Sequence, residues 1–67
     1  MDKTPAKLIE EKGAERIAAA TGAQIGTVRV WKTRNRIPRE VWPELIETFD
    51  DLSVERMKAI EALGDAA

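Results

Sequence analysis

The chain has 67 residues, enough for one small domain, with 43% hydrophobic residues and a net charge of −1. It has no Cys and no His, and Ser53 is its single Ser, which removes disulfides, Cys and His zinc ligands, thiol nucleophiles and any imidazole-activated hydroxyl. No enzyme, cofactor or metal site is therefore expected; no apolar run is long enough to span a membrane and no signal-peptide pattern opens the chain, so a cytoplasmic protein is expected.

Thr4-Pro5 reads as a helix start, with Thr as N-cap and Pro at the first helical position. Helix 1 is expected to run to about Lys12, with Ala6, Leu8 and Ile9 facing inward, and to end at Gly13. Helix 2 spans residues 14–21, where three successive alanines favour helix and permit close packing by a neighbour. Gly22 then supplies a left-handed turn at little cost. Helix 3 begins at Gln24 or Ile25 and runs to Thr33, weakened near its start by Gly26. Val28 and Trp31, three apart, share its inner face. Gln24, Ile25, Arg29, Val30 and Thr33 fall on its other faces.

Residues 33–39 read as a basic loop in which Asn35 suits a turn and Ile37 is the apolar anchor. A short helical turn over residues 38–42 leads into helix 4 proper, residues 43–49, because Pro43 fits only a first turn. Leu45, Ile46 and Phe49 are its inward residues. Asp50 and Asp51 break the pattern, and Ser53 caps helix 5, which is expected to end at Gly64 after Leu63. Leu52 and Met57 flank that cap as a hydrophobic staple. No strand pattern, repeat or low-complexity tract occurs, so the fold class is all-α, one domain over residues 1–67.

Charge is split along the chain. Residues 12–39 hold seven basic residues against Glu15 alone, a net +6, while residues 40–67 hold eight acids against Arg56 and Lys58, a net −6. The run over residues 29–39 contains no acid at all. One basic region and one acidic region in a small domain suit one-sided binding to a polyanion better than mere solubility. An apolar inner stripe, a glycine turn and a basic outer face over residues 14–33 make a helix-turn-helix, whose second helix is shaped for the major groove of double-stranded DNA.

The run I-A-x-x-T-G-A-x-x-G-T-V-x-x-W, followed by R-I-P and a helix holding E-L-I-E, resembles the Cro-like helix-turn-helix repressors of phages and bacteria. The resemblance covers roughly residues 14–49 and implies a compact five-helix, lambda-repressor-like domain that binds a short operator, often as a dimer, and regulates transcription. Carried over position by position, Gln24, Ile25, Arg29, Val30 and Thr33 match base-facing positions of the recognition helix. Lys32, Arg34 and Arg36 match positions near phosphates, and Arg39, beside the loop, is read with them as a backbone contact. The chain departs from the family in having Gln24 where a Ser or Thr cap is usual, Thr21 where a larger aliphatic residue is usual, and Gly26.

Arg29 is the expected reader of guanine, and Gln24 pairs with adenine or with a phosphate. Trp31 is read as core, under helices 1 and 4, and Trp42 as core ahead of a subunit interface. Val54, Met57, Ile60 and Leu63 recur every three residues along helix 5, a stripe for packing in cis, for pairing with a second copy, or for both. A homodimer, at least on DNA, is expected. The function read from the sequence is a sequence-specific DNA-binding transcriptional regulator, acting as a repressor. The alternative is a protein-interaction module or activator that contacts RNA polymerase through acidic helices 4 and 5.

Overall fold

In the computed structural model, which describes residues 3–66, Thr4 caps the first helix: its hydroxyl oxygen accepts the Lys7 N–H at 3.2 Å. Helix α1 (Pro5–Lys12) ends at Gly13, whose φ of +91° few other residues tolerate. Helix α2 (Ala14–Thr21) follows at once and closes on Gly22 in the left-handed conformation, its N–H donating to the Ala18 carbonyl. After residues 22–24 the chain enters α3 (Ile25–Arg34), which stops at Asn35, also left-handed at φ +56°. A 3-10 turn (Arg39–Val41) leads into α4 (Trp42–Thr48), with Pro43 in the first turn, where its missing N–H is not needed. The last helix is α5 (Val54–Ala66), and the described residues contain no strand.

Each α-helix lends one or two side chains to a single core. Leu8 and Ile9 come from α1, Ile17 from α2, Val28 from α3 and Leu45 from α4, while Met57 and Ile60 come from α5. Ile37, Phe49 and Leu52, between the helices, are buried with them, so each connecting segment after α3 is anchored. Leu52 and Met57 flank the Ser53 cap, and the Ser53 hydroxyl accepts the Arg56 N–H at 3.1 Å. Helix α1 packs on α2, α3 and α5, and α2 also packs on α3 and α4. Helix α3 therefore rests on α1 and α2, while the acidic helices α4 and α5 pack on α2, α1 and each other.

Three expectations are corrected. Helix α5 does not stop at Gly64 but runs through it to Ala66. Gly64 is there for closeness: a Cβ at this position would lie 2.6 Å from the Asn35 carbonyl oxygen and 2.8 Å from the Pro5 ring. The α5 stripe is also divided. Met57 and Ile60 are buried in the protein's own core, whereas Val54 and Leu63 are 53% and 40% exposed. At 3.6 residues per turn, nine positions turn a helix by about 180°, so those two flank the buried pair on opposite sides and form no common face. Finally, the two tryptophans differ. Trp42 is core and donates its indole N–H to the Ile37 carbonyl at 3.4 Å. Trp31 is only half-buried at the margin of the core, because α1 and α2 cover the Val28 side of α3 while α4 packs on α2 and α5.

Candidate nucleic-acid interface

The sequence makes α3 amphipathic in an unusual sense: one residue, Val28, is fully buried, and nearly all the rest of the helix faces water. On a 3.6-residue period, Gly26, Val30 and Thr33 lie opposite Val28, and Arg29 lies about a quarter turn from it, on the flank of that face. All four are exposed, Val30 at 46%. Nothing lies within 4 Å of where a Gly26 Cβ would be, so the glycine leaves bare backbone at the amino end of this face. The Thr33 hydroxyl donates to the Arg29 carbonyl at 3.0 Å, which ties up its proton but leaves its methyl and its acceptor lone pair outward.

At the amino end, Gln24 is exposed and extended, and its side chain makes no capping bond. The orphan N–H groups of the first turn thus have no side-chain acceptor, as the missing Ser or Thr foretold. Ile25 is half-buried and contributes less surface than the other expected base-facing residues.

The basic residues of the +6 segment fall into two groups. Lys12 donates to both carboxylate oxygens of Asp51 at 2.8 Å, and Lys12 and Arg16 each sit 5.2 Å from the Phe49 ring centre. These two cations fasten α1 and α2 to the segment between α4 and α5. The hydrogen bond from Lys12 holds the Asp51 carboxyl below the usual carboxylate range. Arg39 is likewise engaged. Its guanidinium meets the Glu61 carboxylate at 2.6 Å and lies 5.3 Å from the Trp42 ring centre, and its hydrogen bond lowers the Glu61 pKa. By contrast Arg29, Lys32, Arg34 and Arg36 are all exposed and form no ion pair among the described residues. The expected backbone contacts therefore split, with Lys32, Arg34 and Arg36 free and Arg39 already paired.

Two features escaped the sequence. Asn35 does more than turn the chain: its side-chain oxygen accepts the Ala6 N–H at 2.8 Å, 29 positions away. This bond satisfies an orphan donor of α1 and fixes the carboxyl end of α3 against the first helix. The second is an open groove of about 580 Å³ along the flank of α3. Its apolar floor is Val30, Trp31 and Pro38, and its cations are Arg34, Arg36 and Arg39. A tryptophan three residues after a core valine signals burial, so no pattern could have marked Trp31 as a groove residue. Among the described residues no cluster of carboxylates is placed to hold a metal, and no helix is long and apolar enough to cross a membrane. Compared with protein-family models, curated proteins and solved structures, the chain matches none significantly.

Proposed function

We propose that this domain is a sequence-specific regulator of transcription that binds double-stranded DNA. In this reading α2, residues 22–24 and α3 form a Cro-like helix-turn-helix, and α3 enters the major groove. One observation carries it: α3 exposes Arg29, Val30 and Thr33 away from Val28, and Lys32, Arg34 and Arg36 beside them form no ion pair among the described residues. Surface cations left unpaired on a helix seated against two others are the footprint of a phosphate-rich ligand. Arg29 reads base edges, with Gln24, Ile25, Val30 and Thr33 around it; Lys32, Arg34 and Arg36 position the helix on the backbone. Occupying a promoter is enough to repress it, so the domain is read as a repressor. On DNA it acts as a homodimer whose two α3 helices lie about 34 Å apart.

The test is duplex binding against salt. With three or four phosphates neutralised per domain, log affinity against log salt should slope by about −3 to −4. A flat response, or no binding to a random duplex pool at low salt, would remove the proposal. A second reading, activation through contact with RNA polymerase, draws on Glu44, Glu47 and Glu55, which are exposed and form no ion pair among the described residues; Glu61 is occupied by Arg39. Neutralising those three should leave repression at a reporter promoter intact, and loss of activation instead would favour the second reading.

A further inference from the structure

The groove on the flank of α3 has a composition that suits one kind of occupant. Three guanidiniums, Arg34, Arg36 and Arg39, line it with a half-buried indole, a valine and a proline, against a single carboxylate, Glu40. The Trp31 indole N–H has no acceptor among the described residues, while that of Trp42 is bonded to the Ile37 carbonyl. A core tryptophan would need a partner for that donor; a groove tryptophan can offer it to a ligand.

We infer that this groove is the track for one sugar-phosphate strand of the bound duplex. The inference rests on the DNA-binding reading and assigns the strand's place within it. Val30 and Arg34 belong both to the groove and to the outer part of α3, so a duplex seated on α3 runs directly past it. The groove is open to solvent, which suits a chain lying along it rather than a small molecule enclosed. Deoxyribose lies on Trp31 and Pro38, and consecutive phosphates lie against Arg34, Arg36 and the Trp31 N–H. Arg39 is held at the end of the groove by Glu61, 2.6 Å away, and by the Trp42 ring, so it is a positioned rather than a mobile cation. Glu61 thereby both orients Arg39 and cancels part of its charge. Since the pair is exposed on the Arg39 side, a phosphate can share the guanidinium at little cost.

The two tryptophans make the test direct. Titrating the full chain with a random-sequence 16-base-pair duplex at low salt should change the Trp31 emission in step with the anisotropy of a labelled duplex. In Trp31→Phe the remaining Trp42 signal should stay constant while anisotropy still reports binding, weakened severalfold. Arg34→Ala and Arg36→Ala should each lower the salt slope by about 0.9. Glu61→Gln should raise affinity for random duplex without altering the Trp31 response. If the labelled duplex binds but Trp31 emission does not move and neither arginine variant changes the slope, the strand runs elsewhere and the inference fails, while the DNA-binding reading stands. If poly-glutamate perturbs Trp31 more strongly than duplex at equal charge, the groove is an acidic-peptide site and the inference fails. Absence of any duplex binding overturns both.

Discussion

Helices α3 and α5 carry the same kind of signal, apolar residues three apart, and use it in opposite ways. In α5 the middle of the stripe, Met57 and Ile60, is buried, the helix is capped by Ser53, and Gly64 seats its last turns against Asn35 and Pro5. In α3 one residue, Val28, is fully buried; Trp31 is left at a groove edge, Gln24 gives no side-chain cap, and Gly26 lies on the exposed face. Helix α5 turns Met57 and Ile60 into the core, whereas α3 buries only Val28 fully and leaves most of its surface exposed. The start of the structural helix follows the local capping rule and the start of the one proposed to bind departs from it, which is where such departures are expected.

The contrast is broken most severely at the centre of α5. Ile60→Ala should cost about 2–5 kcal/mol, since its side chain is fully enclosed. In so small a domain that loss should appear as partial unfolding in a urea titration; a change below 1 kcal/mol would mean that α5 is dispensable. Gly64→Ala comes next. Its Cβ must displace a backbone carbonyl, and overpacking of this sort costs about 1–3 kcal/mol, only partly offset by the better helix propensity of Ala. An unchanged or raised thermal midpoint would show that the end of α5 is not clamped.

The caps sharpen the comparison from both sides. Ser53→Ala should destabilise by about 1 kcal/mol, because it removes the acceptor for the Arg56 N–H. Gln24→Ser should do the reverse and stabilise α3 by up to about 1 kcal/mol, supplying the cap that Gln24 does not. If Gln24→Ser also leaves sequence preference untouched, Gln24 is no base contact.

The smallest effect belongs to the surface pairs. Asp51 and Glu61 titrate below their ordinary values of 3.8 and 4.5, held there first by hydrogen bonds from Lys12 and Arg39. Depressed carboxyl values favour the fold once pH exceeds the ordinary ones, and that support is lost as pH falls through the lower, folded values. The thermal midpoint should therefore be level from neutrality to about pH 5 and decline below pH 4. Removing both cations, as Lys12→Gln with Arg39→Gln, should make the decline shallower.

Much of this architecture was legible because its punctuation is chemical. Thr4-Pro5, Gly13, Gly22 and Ser53 each force or satisfy a particular backbone geometry and mark a helix boundary where it was expected, while Asn35, expected only as a turn residue in the loop, ends α3 one residue later than Thr33. Gly64 misled because a glycine signals a stop only when its φ is positive; here it remains helical to admit a backbone from across the fold. The division of the α5 stripe was implicit in the mismatch between a repeat of three and a period of 3.6, yet which part would be buried depended on where α1 and α4 lay. The proposed site was legible in its residue types and less so in its electrostatics. A charge count treated Lys12, Arg16 and Arg39 as equal to Arg29, because Asp51, Phe49 and Glu61, which engage them, lie 22 or more positions away.

The central claim is that the outer face of α3 reads base edges while its flank merely grips the backbone. Once an operator has been selected from random sequences, the affinity of Arg29→Ala for that operator and for random duplex tests it most directly, with Arg36→Ala alongside. Losing a bidentate base contact should cost about 1–3 kcal/mol on the operator and little on random DNA, so the ratio of the two affinities should fall about tenfold or more. Arg36→Ala should weaken both alike and leave the ratio nearly unchanged. Equal proportional losses on operator and random DNA for the two variants would contradict the account and place Arg29 among the backbone contacts.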